Sequence, residues 1–201
     1  MAQAPLRRSE DAAPMLPALA AALCDADLGV RRGRVVVAAP SHRWAEAFDG
    51  FAAALAPTRP AEVLGIEHVG STAVPGLPAK PLLDVAIGQR PGTAPQVLHG
   101  WLMAAGHLYR GEADGTRPDR MYALELEPGI RLVNVHVVDH GGAQWRRYLS
   151  FRDHLRTSTE AREEYRRLKQ RLASEHPGDR LAYLQAKTAF VTARDGSCAQ
   201  G

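Results

Sequence analysis

The stretch IEHVGSTAVPGLPAKPLLDVAIG, residues 66–88, places a Gly-Ser pair, a lysine and a single carboxylate between two apolar runs. Apolar runs on either side of such a loop predict two strands. A strand that enters Gly70-Ser71 exposes backbone N–H groups where no side chain blocks approach, and the Ser71 hydroxyl adds a donor. That combination suits phosphate oxygens. Asp84 on the next strand is placed to hold a Mg²⁺ that bridges to such a phosphate. Lys80, four residues earlier, offers the same anion a positive charge. The loop taken alone fits equally well a tight turn that needs glycine, followed by an aspartate that only caps a strand.

Further along, VNVHVV sets Val133, Val135 and Val137 on one face of a strand and Asn134, His136 and Val138 on the other. His136 then faces either structural partners or a ligand. In the second case it is expected to act as a general base, because an imidazole titrates near working pH. FRDHLR puts Arg152, Asp153 and Arg156 on a helix, a pattern that also fits a solvated face with pairing at i, i+4. Lys187 sits among Ala186, Ala189 and Phe190, an odd setting for a purely solvated lysine. Arg117, Asp119 and Arg120 belong to a polar loop, ADGTRPDR, expected to be exposed or to touch substrate. No cysteine or histidine spacing matches a zinc site, and no lysine follows a glycine-rich turn in the P-loop manner.

The elements that must position these residues follow from periodicity. A helix is expected over 9–24, weakened by Pro14 and Pro17. RVVVA (34–38) reads as a strand, and 42–56 as an amphipathic helix behind Ser41. Strands follow at 61–69 and 82–87, and then a helix opens at Pro95 and closes at Gly106. MYALEL and IRLVNVHVV form a hairpin around Glu127-Pro128-Gly129. Beyond Gly141-Gly142 the chain is helical: 143–156, then 158–175 behind a Thr157/Glu160 capping box, then a last helix from Asp179 to about Arg194.

Bulk properties narrow the class. At 201 residues with 45% hydrophobic and 23% charged residues, the chain suits one domain with a sizeable core rather than a disordered one. A net charge of +3 provides no global field for nucleic acid or membrane. Cys24 and Cys198 are far apart and read as free thiols in a reducing compartment. MLPALAAAL is too short and too proline-interrupted for a signal peptide or a span, so the expected location is the cytoplasm.

His68-Val69-Gly70-Ser71-Thr72-Ala73-Val74-Pro75-Gly76-Leu77, then Ala79-Lys80-Pro81 and Leu83-Asp84, resembles the signature of the GrpB family. VVVAAPSHRWAEAFDGFAAAL, NVHVVDHGGAQWRRYLSFRDHLR, EEYRRLKQRLA and YLQAKTAFV resemble further motifs of that family, in order. The resemblance implies an α+β fold of the polymerase-β-like nucleotidyltransferase type, a mixed β-sheet packed by helices with C-terminal helices. It also implies an N-terminal extension at 1–33, the domain itself at 34–194 and a tail at 195–201. The family occurs alone and joined to dephospho-CoA kinase.

That fold carries a Gly-Ser or Gly-Gly turn, two carboxylates one residue apart on the next strand, and a third on a later strand. Here the second position is Ala86 and the third strand offers Asn134 and His136, which is a departure. The resemblance implies Mg²⁺- and nucleoside triphosphate-dependent (ATP) transfer of a nucleotidyl or phosphoryl group to a small-molecule acceptor, or an adenylation-coupled ligation. Ser71, Asp84 and His136 would be catalytic, and Asp84 would hold the metal. His68, Gly70, Ser71, Lys80, Arg152 and Lys187 would contact the nucleotide. The missing carboxylate motivates the alternative, a non-catalytic nucleotide- or anion-binding module that assists a partner protein.

Overall fold

A computed structural model describes residues 15–31, 33–34, 36–112, 119–176, 182 and 186. In chain order the elements are α1 (Met15–Asp25), β1 (Val30–Arg31), α2 (Arg43–Leu55), β2 (Val63–Val69), β3 (Leu83–Gln89), α3 (Pro95–Ala104), β4 (Leu108–Glu112), β5 (Arg120–Glu127), β6 (Ile130–Asp139), α4 (Ala143–Thr157) and α5 (Thr159–Glu175). Short 3₁₀ turns cover Ala56–Thr58 and Ser71–Ala73.

The strands form one mixed sheet in the order β2-β3-β6-β5-β4, with β1 also paired to β6. β3 and β6 run parallel, and the remaining pairs are antiparallel. Period-two alternation divides the sheet into two faces. Leu83, Val85 and Ile87 of β3, Tyr122 and Leu124 of β5, and Val133, Val135 and Val137 of β6 turn to one side. There they pack against Leu23 of α1, Trp44, Phe51 and Leu55 of α2, and Leu98 and Leu102 of α3. The other face is covered sparsely: Val69, Ala86 and Val138 meet Trp145 of α4. Gly65 and Gly88, paired across β2 and β3, make room for that indole. A Cβ on either would stand 2.9 or 2.8 Å from it.

A third cluster fixes the loop that follows the Gly-Ser pair. Val74 and Leu77 are buried against Leu155 of α4 and Ala161, Tyr165, Leu168 and Leu172 of α5. α5 and the later part of α4 therefore hold the turn, while Trp145 of α4 covers the sheet.

Several expectations change. None of the described residues of RVVVA (34 and 36–38) belongs to a strand of the sheet. Val36 is exposed and Ala38 makes only an isolated bridge to Ala79, while Val30–Arg31 takes the place beside β6. LYRGE, unassigned from sequence because it lacks an apolar run, is the edge strand β4. The cap of α5 is Ser158, whose hydroxyl accepts from Ala161 N–H at 3.1 Å; Thr157 bonds back to Asp153. Of the helix expected from Asp179 only Ala182 and Ala186 are described, both in helical conformation. α1 and β1 share the main core through Ala20, Leu23, Ala26 and Leu28 and through pairing with β6.

Candidate functional site

Strand register brings the singled-out residues together on the sparsely covered face. Val69 pairs with Asp84 across β2 and β3, Asp84 with Asn134 and Ala86 with His136 across β3 and β6. Paired residues share a face, so Asp84, Asn134 and His136 are neighbours just beneath Gly70. The Asn134 amide donates to Asp84 Oδ1 at 2.8 Å. Gly70 has φ 71°, and a Cβ there would lie 2.6 Å from Asp84 Oδ2. Only glycine lets the backbone turn this close to the carboxylate. Ser71, half-buried, opens the short turn at the rim.

His136 is buried between two carboxylates. Its Nδ1 lies 2.8 Å from Asp119 Oδ2, and its Nε2 lies 3.8 Å from Asp84 Oδ1. The Tyr148 hydroxyl of α4 donates to the same Asp119 oxygen at 2.7 Å. Burial by itself would pull the imidazole pKa down. The hydrogen bond to Asp119, the nearby Asp84 carboxylate and the charges of both outweigh it and raise the pKa to about 9. Asp119 is affected the opposite way: burial pushes its carboxyl up, but the bonds from His136 and Tyr148 hold it below the usual range. A raised pKa runs against the expected role of a general base near neutrality. Both carboxylates favour the protonated ring, so the surroundings of His136 suit a cation and proton donor better than a proton acceptor.

Tyr148 is the member that sequence reading missed, and Asp119 stands in that reading only as a loop residue, exposed or touching substrate. Asp119, expected in an exposed loop, has no exposed surface. The only sequence signal was its position one residue ahead of an alternating strand. The contact to His136 depends on hairpin register, in which Met121 pairs with His136.

The other candidates are placed differently. His68 pairs with Val85, so its side chain lies on the helix-covered face, stacked on Phe48 at 4.9 Å with Nε2 3.0 Å from Thr72 Oγ1. Burial lowers its pKa to about 4. It supports the turn from behind and does not share the face of Asp84. Arg152 is largely buried. Its Nη1 donates to Glu67 at 2.7 Å and to the His68 carbonyl at 3.1 Å, and its Nε to Asp153 at 2.7 Å. Those partners make it a strut between α4 and β2. Arg156 donates to the Ala73 carbonyl at 2.9 Å, and Lys169 of α5 to the Pro78 carbonyl. Lys80 is half-buried shortly before β3, and Lys187 lies outside the described residues.

The donor set does not suit a protein-held Mg²⁺. Asp84 is compensated by Asn134 and His136, Glu67 by Arg152, and Asp119 by His136 and Tyr148. A cation already stands where a second metal ligand would be needed, and the in-phase position on β3 is Ala86, buried beside Trp145. Among the described residues no group of three His, Cys, Asp or Glu side chains is arranged for a metal. Asp84 by itself does not make a protein-held site for Mg²⁺.

Comparison with known proteins gives a consistent outcome. The profile of the family described as GrpB protein matches residues 34–195. The chain is 32% identical over 167 residues to the glutamate-rich protein GrpB of Alkalihalophilus pseudofirmus, which covers 82% of this chain and 95% of that one. It is 38% identical over 161 residues to a UPF0157 protein of Pseudomonas aeruginosa, covering 79% of this chain and 65% of the relative. A dephospho-CoA kinase of Mycolicibacterium paratuberculosis is 31% identical over 147 residues, but this chain spans only 36% of that enzyme. The crystal structure of conserved protein GrpB from Enterococcus faecalis superposes with a TM-score of 0.70 at 30% identity, over 81% of this chain and 96% of that one.

Proposed function

Because the chain belongs to the GrpB family, we propose that its sheet-face site binds a nucleoside triphosphate and transfers a nucleotidyl or phosphoryl group to a small acceptor. The observation that carries this reading is the seating of Asp84 against the bare backbone of Gly70, with the His136 cation beside it. Gly70 and Ser71 admit phosphate oxygens closely, and the imidazolium of His136 neutralises their charge. Asp84, an acceptor held in place by Asn134, takes the proton of the attacking hydroxyl or amine. The acceptor forms its bond to phosphorus as the bond to the departing phosphate breaks, so the chain supplies position and charge rather than a nucleophile. Mg²⁺ belongs to this scheme as part of the incoming triphosphate. The likeness to a stretch of a dephospho-CoA kinase supports ATP as the phosphate source.

The second reading, a non-catalytic module that binds a nucleotide or anion and assists a partner, is favoured by Ala86. One carboxylate on β3 is fewer than two-metal transfer requires. Isothermal calorimetry with Mg-bound ATP, GTP, CTP and UTP tests both readings. Binding in the micromolar to millimolar range is expected for at least one, and its absence for all four defeats the transfer reading and the nucleotide form of the second. Asp84→Asn then separates them. An enzyme keeps affinity while release of pyrophosphate or ADP with hydroxyl and amine acceptors falls a hundredfold or more (about 10²–10⁴ for loss of a general base). A module shows no such release in the wild type.

A further inference from the structure

We propose that Asp119 is the positioning residue of this site. It fixes the His136 ring with Nδ1 engaged and Nε2 presented beside Asp84, as a built-in cation for a polyphosphate. The inference rests on the reading of the Asp84 face as a phosphate site and names the group that replaces the absent carboxylate pair.

The geometry argues for it in three steps. Asp119 is fully buried, its Oδ2 takes both the His136 Nδ1 and the Tyr148 hydroxyl, and its Oδ1 has no hydrogen-bond partner among the described residues. A buried carboxylate is costly unless a cation stands against it, and among the described residues the ring of His136 is the group that meets Asp119 in that way. With Nδ1–H committed to Asp119, the second N–H is aimed at the Asp84 side. The 3.8 Å gap to Asp84 Oδ1 is too long for a hydrogen bond. That donor therefore stands beside Asp84 without a short bond to Oδ1, and Asp84 in turn touches the Gly70 turn, an arrangement that suits an incoming phosphate oxygen. The charged groups facing the ring among the described residues are Asp84 from β3 and Asp119 at the entrance to β5. The Tyr148 hydroxyl from α4 completes the surround. Both charges favour the protonated ring, which agrees with a pKa raised to about 9.

The test uses the full chain and two readouts. ¹⁵N NMR of the histidine rings follows the His136 titration, and calorimetry at pH 7.5 measures tripolyphosphate without metal. In the wild type the His136 ring is expected to carry protons on both nitrogens at pH 8 and to titrate near 9. In Asp119→Asn its pKa drops to the ordinary imidazole range or below, and tripolyphosphate affinity falls at least tenfold. Asp119→Glu is expected to restore part of both. A His136 ring that is neutral at pH 8 in the wild type, or an unchanged titration in Asp119→Asn, overturns the assignment of Asp119. If Asp119→Asn fails to fold, the wild-type ring spectrum decides alone. A held imidazolium in a wild type that binds no polyphosphate instead sinks the phosphate-site reading, and with it the role proposed for the presented Nε2.

Discussion

At Gly70 the backbone occupies the left-handed half of φ space, where a side chain costs about 1 kcal/mol or more. The Cβ it would carry stands 2.6 Å from Asp84 Oδ2 and 2.9 Å from Asp84 Cβ. These are two separate penalties, and a double-mutant cycle divides them. Gly70→Ala is expected to destabilise the protein by roughly 2–3 kcal/mol, the sum of strain and displacement of a strand residue. In an Asp84→Gly background, where the clashing atoms are gone, only the strain of about 1 kcal/mol remains. Equal losses in both backgrounds, measured by urea denaturation, would show that the turn and the carboxylate are not in contact. The same cycle read through nucleotide binding bears on function, because Gly70→Ala must also push Asp84 away from Asn134.

Cations on the two long helices act on backbone, and this is a property of the helix pair rather than of any one residue. Arg152 and Arg156 of α4 and Lys169 of α5 donate to the carbonyls of His68, Ala73 and Pro78, clamping the segment that contains the Gly-Ser turn. Arg152→Lys loses the fork that spans Glu67, Asp153 and the His68 carbonyl at once, and a lysine does not reproduce it. A loss of about 1.5–3 kcal/mol is expected, with faster hydrogen exchange of the amides in 68–78. A fall in nucleotide affinity with stability and exchange unchanged would instead make Arg152 a ligand contact. The elements themselves were largely legible from sequence. Alternation marked β3 and β6 and helical spacing marked α2 through α5, because burial of one face is what those periods encode. Three features were not legible. RVVVA has the composition of a strand, yet pairing depends on which neighbour reaches β6 first. His68 lies one residue from Val69 in a strand, and a single step in a period of two moves a side chain to the opposite face. The Asp119–His136 contact depends on the register of a hairpin, which no local pattern states.

Taken over the whole molecule, three buried histidines set how stability varies with pH, and they pull in opposite directions. His68, stacked on Phe48, and His107, edge-on to Phe51, both pack against α2, and burial lowers each pKa to about 4. The unfolded chain binds these two protons near pH 6.5 while the native state refuses them until about pH 4. Stability therefore falls as pH drops through that window, by up to roughly 3 kcal/mol for each ring. His136 has the reverse sign. Its folded pKa of about 9 exceeds the unfolded value, so its contribution is complete below pH 6.5 and is lost as pH rises through 9. Asp119, its partner, is depressed, and its share disappears only as pH falls below the ordinary carboxylate range. Two groups thus act on the acid limb against one on the alkaline limb. Urea denaturation should give maximal stability near pH 6.5, a steep decline toward pH 4 and a shallower decline toward pH 9. His107→Gln should flatten the acid limb by about half, and His136→Gln should remove the alkaline slope between pH 6.5 and 9. Stability that stays level across that alkaline interval in the wild type would mean that the imidazole between Asp84 and Asp119 carries no extra proton.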